Sequence, residues 1–190
     1  MHWFLRNLFP LMWLSFFIYW QIASAQVKVA RRLEPVPSRV IWSGLFLFAV
    51  LLFCFPDLPF HWLYLPILPM SRVSFYAGMA ITLAGLLFAV WARRHLGANW
   101  SRAVTIKQGH SLITSGPYAW VRHPIYTGVL TGFLGTAVAL TQVRGFFALL
   151  LIFIAFRLKW RLEEKWMREE FGEGYSEYAR RVPAVIPRPI

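Results

Sequence analysis

Between Ser115 and Gly128 the chain reads SGPYAWVRHPIYTG, a polar turn that runs directly into an apolar segment. Gly116 and Pro117 are turn formers, Tyr118 and Trp120 follow as an aromatic pair, and Arg122, His123 and Pro124 stand where a water-facing loop meets a membrane. Pro124 lacks a backbone donor and suits the first turn of a helix, and it holds the residue before it, His123, out of helical geometry. An imidazole held there is where chemistry is expected. Two adjacent carboxylates, Glu163 and Glu164, lie further along. Taken alone, the first stretch also suits a border loop with an aromatic belt and a basic anchor.

These residues need elements to position them, and the composition says that those elements lie in a membrane. Of the 190 residues 58% are hydrophobic and 18% aromatic, ten are tryptophan, and mean hydropathy is +0.51. The apolar runs predict an all-α integral membrane fold with about five transmembrane helices: residues 8–25, 40–55, 75–92, 124–140 and one from Gly145. Residues 28–39 read as a basic connector. The stretch from Pro56 to Ser71, broken by Pro59, Pro66 and Pro69 yet rich in aromatic residues, reads as an interfacial loop. Gly78, Gly85, Gly128, Gly132 and Gly135 give the third and fourth spans small-residue faces for close approach.

The fifth helix is expected to outrun the membrane as a C-terminal extension, through Arg157, Arg161 and the glutamate pair to Glu170, and to stop at Gly172 and Gly174. At 100° per residue, Phe156, Trp160, Met167 and Phe171 share one stripe, with Glu163 and Glu164 on its borders. The carboxylates therefore face partly inward, where an ordinary solvated helix would turn them away.

The formal charge of +12 raises nucleic acid as a partner, but the basic residues lie between apolar runs rather than in a polar domain, so no nucleic acid is expected. They read instead as topology signals and contacts to membrane lipids. Of twenty Lys and Arg, seventeen fall in residues 26–39, 92–124 and the tail from 157, which predicts an outside N-terminus and a cytoplasmic C-terminus. The compact loops suggest a bacterial inner membrane. The single cysteine, Cys54, lies in an apolar run, and no third histidine accompanies His110 and His123, so neither a disulfide framework nor a metal site is expected. The sequence is silent on oligomeric state.

Taken with Leu96–Trp100 (LGANW), His110–Ile113 (HSLI), the glutamate pair and the closing FGEGYSEYARRVP, the SGPYAWVRHPIYTG stretch resembles the isoprenylcysteine carboxyl methyltransferase family, relatives of the phosphatidylethanolamine methyltransferases. The resemblance covers roughly the second half of the chain. It implies an enzyme that moves a methyl group from S-adenosyl-L-methionine to a lipophilic or membrane-associated acceptor bearing a carboxylate, thiol or amine. It further implies one membrane domain, with N-terminal helices and interfacial loop over 1–74 and a methyltransferase core over 75–190.

Carried over position by position, the family pattern implies cofactor contacts at His110, Ser111, Leu112, Ile113, Tyr118, His123, Pro124, Ile125, Tyr126, Glu163 and Glu164, formed by the cytoplasmic loop and the C-terminal helix. Tyr118 and Tyr126 would supply aromatic faces, each stabilising a cation by about 0.5–2 kcal/mol, and a glutamate would pair the ligand's ammonium. Arg157 and His123 would serve the reaction, with Arg157 on the acceptor. Arg161 stands where some members carry a carboxylate, which leaves open the choice between Arg157 and Arg161 and between the two glutamates. Two other readings stand beside this one: an NADPH-dependent membrane reductase of the sterol-reductase type, and a non-catalytic membrane scaffold.

Overall fold

The computed structural model describes residues 2–24, 30–55, 59–97, 105–107 and 112–187. Five helices carry the fold: α1 (His2–Ala23), α2 (Val36–Cys54), α3 (Arg72–Leu96), α4 (Pro124–Leu140) and α5 (Val143–Arg181). The all-helical membrane architecture is as expected, with one addition. Inside the connectors, β1 (Ala30–Leu33) and β2 (Thr105–Lys107) pair antiparallel, a ribbon too short for alternating hydrophobicity to announce.

Each helix starts where its sequence allows. Pro35 caps α2 and Pro37 sits in its first turn, where a missing donor costs nothing. Ser71 and Ser74 form a reciprocal capping box at the start of α3, their backbone amides each meeting the other's hydroxyl at 3.0 and 3.1 Å. His123 precedes α4 with φ −122 and ψ 60, outside helical geometry as the following proline requires.

By length and composition α2 and α3 qualify as membrane spans, with mean hydropathies of 1.9 and 2.0, and α4 is an apolar helix of 17 residues. Phe17, Phe48, Leu87 and Leu150 point outward and are exposed, as lipid-facing residues are. The interfacial segment folds into a 3₁₀ turn at His61–Tyr64 and is tied to the α4–α5 turn: Thr141 O accepts from Ile67 N at 2.7 Å, and Leu65 O from Val143 N at 3.0 Å.

α5 corrects the expected stop. Gly172 adopts φ 54, ψ −127, which breaks the helix, but the chain resumes helical geometry and runs on to Arg181. A left-handed φ at glycine bends the path rather than ending it. Before that bend α5 rises about 43 Å, more than a bilayer's hydrocarbon core of about 30 Å, so its polar end stands clear of the membrane.

The tightest packing lies between α3 and α4. A Cβ added at Gly78 would meet Gly135 O at 2.4 Å, and one at Gly85 would meet Gly128 O and Gly132 N at 2.5 Å. Only glycine permits that approach. Thr82 Oγ1, fully buried, closes the seam by donating to Gly132 O at 3.1 Å. Around Phe133 a second layer of rings gathers from α1 and α2: Trp13 stacks on it at 4.2 Å, and Phe53 and Phe46 lie at 5.5 and 5.9 Å.

Candidate active site

The α3–α4 seam fixes where α4 begins, and the polar residues collect there. The chain enters through Gly116, whose φ of 59 makes the turn and whose missing Cβ leaves room for the His95 ring. It then forms a 3₁₀ turn, Gly116–Ala119, with Tyr118 buried. The C-terminal tail folds back across this segment. Arg122 N donates to Pro183 O at 2.8 Å, His123 N to Ala184 O at 2.9 Å and Thr127 Oγ1 to Val185 O at 2.8 Å. Tyr178 OH donates to Tyr118 O at 2.6 Å, which packs the tail against the loop.

The adjacent glutamates divide their work. Glu164 is buried and receives Arg122 through Nε at 3.0 Å and Nη2 at 2.6 Å, His123 Nε2 at 3.1 Å and Arg168 Nη2 at 3.1 Å. Arg122 spends its remaining nitrogen, Nη1, on the carbonyls of Ala179 at 2.9 Å and of Val182. Burial opposes the charge on Glu164, but the hydrogen bonds from His123 and Arg122, and their charge, outweigh it and hold the carboxyl at about 2. An ionised carboxylate only accepts, so the His123 nitrogen facing Glu164 is a donor.

Glu163 turns the other way, onto the wall of a cavity of about 1250 Å³. Its Oε1 accepts from Tyr126 OH at 2.5 Å, and its Oε2 lies 3.6 Å from His123 Nδ1. Both ring nitrogens of His123 thus face carboxylates. The ring clusters with Tyr126 at 5.6 Å and Trp160 at 5.9 Å, which lie 6.3 Å from each other. Burial raises the Tyr118 hydroxyl above the usual tyrosine range, and the charge of Glu163 raises it further. Tyr178 is pushed up to about 12 by burial, against the pull of Arg122. Both phenols stay neutral, and that of Tyr178 donates to Tyr118 O.

The cavity has two ends. Leu112, Ile113, Tyr118, His123, Pro124, Ile125, Tyr126 and Glu163 line it toward the loop, together with Tyr175 and Tyr178 of the tail. Phe9, Trp13, Phe16, Phe46, Phe53 and Phe133 line it toward the membrane core. His110 and Ser111 lie outside the described residues. Glu164 is not on the lining but braces it from behind. Arg157 and Arg161 are both exposed and neither lines the cavity; the Arg157 guanidinium sits 5.6 Å from the centroid of the buried Trp160 ring.

Two cations were overlooked in the sequence as site residues. Arg122 was legible beside His123, and Lys159 lies four residues before Glu163, hence on its helix face. Lys159 lines the cavity with its ammonium 4.4 Å from the Trp42 ring and 5.8 Å from that of Tyr126.

Comparison with known proteins places residues 73–174 on the model of a family described as phospholipid methyltransferase. Among curated relatives, protein-S-isoprenylcysteine O-methyltransferase of Rattus norvegicus is 34% identical over 114 residues, covering 58% of this chain and 40% of that protein. Protein-S-isoprenylcysteine O-methyltransferase B of Arabidopsis thaliana is 30% identical over 138 residues, covering 70% of this chain and 64% of its own. The fold matches a solved structure of the eukaryotic intramembrane Ras methyltransferase, isoprenylcysteine carboxyl methyltransferase. That match has a TM-score of 0.56 at 25% identity over 81% of this chain and 53% of that one. The chain thus spans under half the length of the rat relative and about two thirds of the plant one.

Proposed function

Because the chain belongs to the phospholipid methyltransferase family, we propose that it transfers a methyl group from S-adenosyl-L-methionine to a lipophilic, membrane-associated acceptor, as isoprenylcysteine carboxyl methyltransferases do. The observation that carries this reading is Glu163, a carboxylate steadied by a tyrosine on the wall of a cavity lined mostly by apolar and aromatic side chains.

The donor chemistry at the loop end suits the cofactor. Glu163 would take its ammonium, and Tyr118 and Tyr126 would offer aromatic faces to the nucleoside and the sulfonium. Leu112 and Ile113, with His110 and Ser111 before them, would wall the nucleoside. When bound, the cofactor supplies an electrophilic methyl on a sulfonium that departs as a neutral thioether.

The chain's own part is positioning and the exclusion of water. Glu164, clamped by Arg122 and His123, fixes the turn of α5 from which Glu163 projects. With both His123 nitrogens turned to the glutamates, we assign this ring to holding the pair in place rather than to collecting a proton. That assignment favours a carboxylate or thiolate acceptor, whose methylation leaves no proton to remove, over an amine. We read residues 75–190 as the core that holds the cofactor and 1–74 as the helices that enclose the acceptor. The site then opens to the cytoplasm of a bacterial inner membrane, with the N-terminus outside.

Titration calorimetry of S-adenosylhomocysteine into the detergent-purified protein tests the reading. We expect micromolar binding, weakened about 10- to 100-fold in Glu163→Gln, since a hydrogen bond to a charged group is worth about 1.5–3 kcal/mol. Binding of NADPH with no response to S-adenosylhomocysteine would instead establish the reductase, and silence from both in folded protein the scaffold.

A further inference from the structure

The turn that carries Tyr118 to the cavity is held from outside it, by one face of α3. Phe88, Trp91 and His95 stand three and four residues apart and so share a side of that helix. Trp120, at the far end of the turn, lies against the first two, its ring 6.2 Å from that of Phe88 and 5.6 Å from that of Trp91. His95 takes the near end. Its Nε2 and the Ser115 hydroxyl are 3.0 Å apart, and its ring lies 6.3 Å from that of Tyr118, inclined by 24°. A serine before a helical turn ordinarily directs its hydroxyl onto that turn's own amides. Ser115 does not: its hydroxyl goes to His95, while its carbonyl accepts from Tyr118 N at 3.2 Å to open the 3₁₀ turn. The platform is itself fixed. Arg93, buried, donates from Nη1 to Gly97 O at 2.9 Å and from Nη2 to Ala23 O, which ties the last turn of α3 to the end of α1.

We propose that His95, which does not line the cavity, is a positioning residue for the methyl donor: it bonds Ser115, backs the Tyr118 ring, and so sets the plane that this ring presents to the donor. A tyrosine ring does not fix its own plane, because rotation about its Cβ–Cγ bond is broad. Tyr178 holds the Tyr118 carbonyl and leaves the tilt of the ring to its neighbours. The bond to Ser115 fixes the imidazole, and the stack passes that tilt on to Tyr118. A ring already in place spares the donor the cost of ordering it on binding. The proposal deepens the methyltransferase reading and rests on it, since it is the donor that gives Tyr118 its task.

Calorimetric titration of S-adenosylhomocysteine, and of dodecanoate as a ligand for the aromatic end, into the full chain in maltoside detergent tests it. The variants are His95→Leu, His95→Gln, Ser115→Ala, Tyr118→Leu and the double variant His95→Leu with Tyr118→Leu. We expect His95→Leu to weaken S-adenosylhomocysteine about 3- to 10-fold at unchanged stoichiometry and to bind dodecanoate as wild type does. His95→Gln, whose amide reaches the Ser115 hydroxyl, should recover part of the loss. Ser115→Ala, which removes one exposed hydroxyl, should reproduce part of it. In the Tyr118→Leu background His95→Leu should cost nothing further, because the ring through which it acts is gone. The assignment is overturned by wild-type affinity in both His95→Leu and Ser115→Ala, or by a loss undiminished when Tyr118 is replaced. Equal weakening of both ligands, which a merely structural role would produce, overturns it as well. Absence of S-adenosylhomocysteine binding in wild type overturns the donor reading, and the role given to His95 with it.

Discussion

Along the α3–α4 seam glycine faces glycine, so that backbone carbonyls lie where a side chain would be: a Cβ at Gly78, Gly85, Gly128 or Gly135 would come within 2.6 Å of the opposing helix. Across the cavity the same α4 meets α1 and α2 through large rings, Trp13, Phe46 and Phe53 converging on Phe133. Both regions are apolar, yet one leaves no room and the other leaves about 1250 Å³. Small residues let backbones close on each other, whereas stacked rings act as props that hold helices apart. The seam therefore sets the position of the residues that begin α4, and the propped side supplies the space they face.

The largest expected effect comes from filling the seam. In Gly85→Val the new side chain must displace backbone, at Gly128 O and Gly132 N, rather than the end of a flexible neighbour. The cost should reach or exceed the about 3 kcal/mol at the top of the usual overpacking range. Phe46→Leu on the propped side, where a cavity already exists, should cost under about 1.5 kcal/mol. Melting of both variants in detergent, followed by tryptophan fluorescence, decides the matter; equal losses would mean that the seam is no more rigid than the wall opposite.

Next in size is the contrast between the two glutamates. Glu164 has its carboxyl lowered from 4.5 to about 2, so its contribution is complete above about pH 4.5 and is lost as the pH falls toward 2. A shift of that size corresponds to about 3 kcal/mol at neutral pH. Glu164→Gln should therefore melt well below wild type at pH 7, and the gap should close on acidification across that window. Glu163→Gln should leave the melting point nearly unchanged and weaken S-adenosylhomocysteine binding instead. A pH-independent gap for Glu164→Gln would show that its bonds to Arg122 and His123 do not depend on its charge.

Much of this arrangement was readable from residue types. The small-residue faces of α3 and α4 marked the seam, Pro124 set the non-helical turn at His123, and the aromatic stripe on α5 showed that the glutamates face inward. What could not be read was which of two adjacent carboxylates looks into the cavity. Neighbours on a helix differ by only 100°, and the choice is made by Arg122 and by tail carbonyls some sixty positions away in sequence, at Ala179 and Val182. Lys159 was hidden differently: in sequence it stands between Arg157 and Arg161, although the helix wheel puts it about 160° from either, on the side of Glu163, where its ammonium meets Trp42 of a distant helix. Gly172 read as a stop because a left-handed glycine often ends a helix; beyond it Tyr175 is buried and Tyr178 bonds Tyr118 O of the loop, contacts that hold the resumed helix in place.

The smallest effect belongs to the link that joins the two regions. Trp13 Nε1 donates to Thr136 Oγ1 at 3.1 Å, and that hydroxyl in turn donates to Gly132 O at 2.9 Å, inside the seam helix. Thr136→Val keeps the shape and removes the acceptor. Hydrogen bonds between helices in a membrane average about 0.6 kcal/mol, so the melting point should shift only slightly. Thr136 lines the cavity, however, and Trp13 ties α1 to α4 here by this bond and by its stack on Phe133. Loosening α1 should therefore show first in the binding of dodecanoate at the aromatic end and hardly in S-adenosylhomocysteine binding at the loop end. Equal weakening of both ligands would mean that α1 props the whole cavity rather than its acceptor end, and that the seam by itself does not hold the cofactor side in shape.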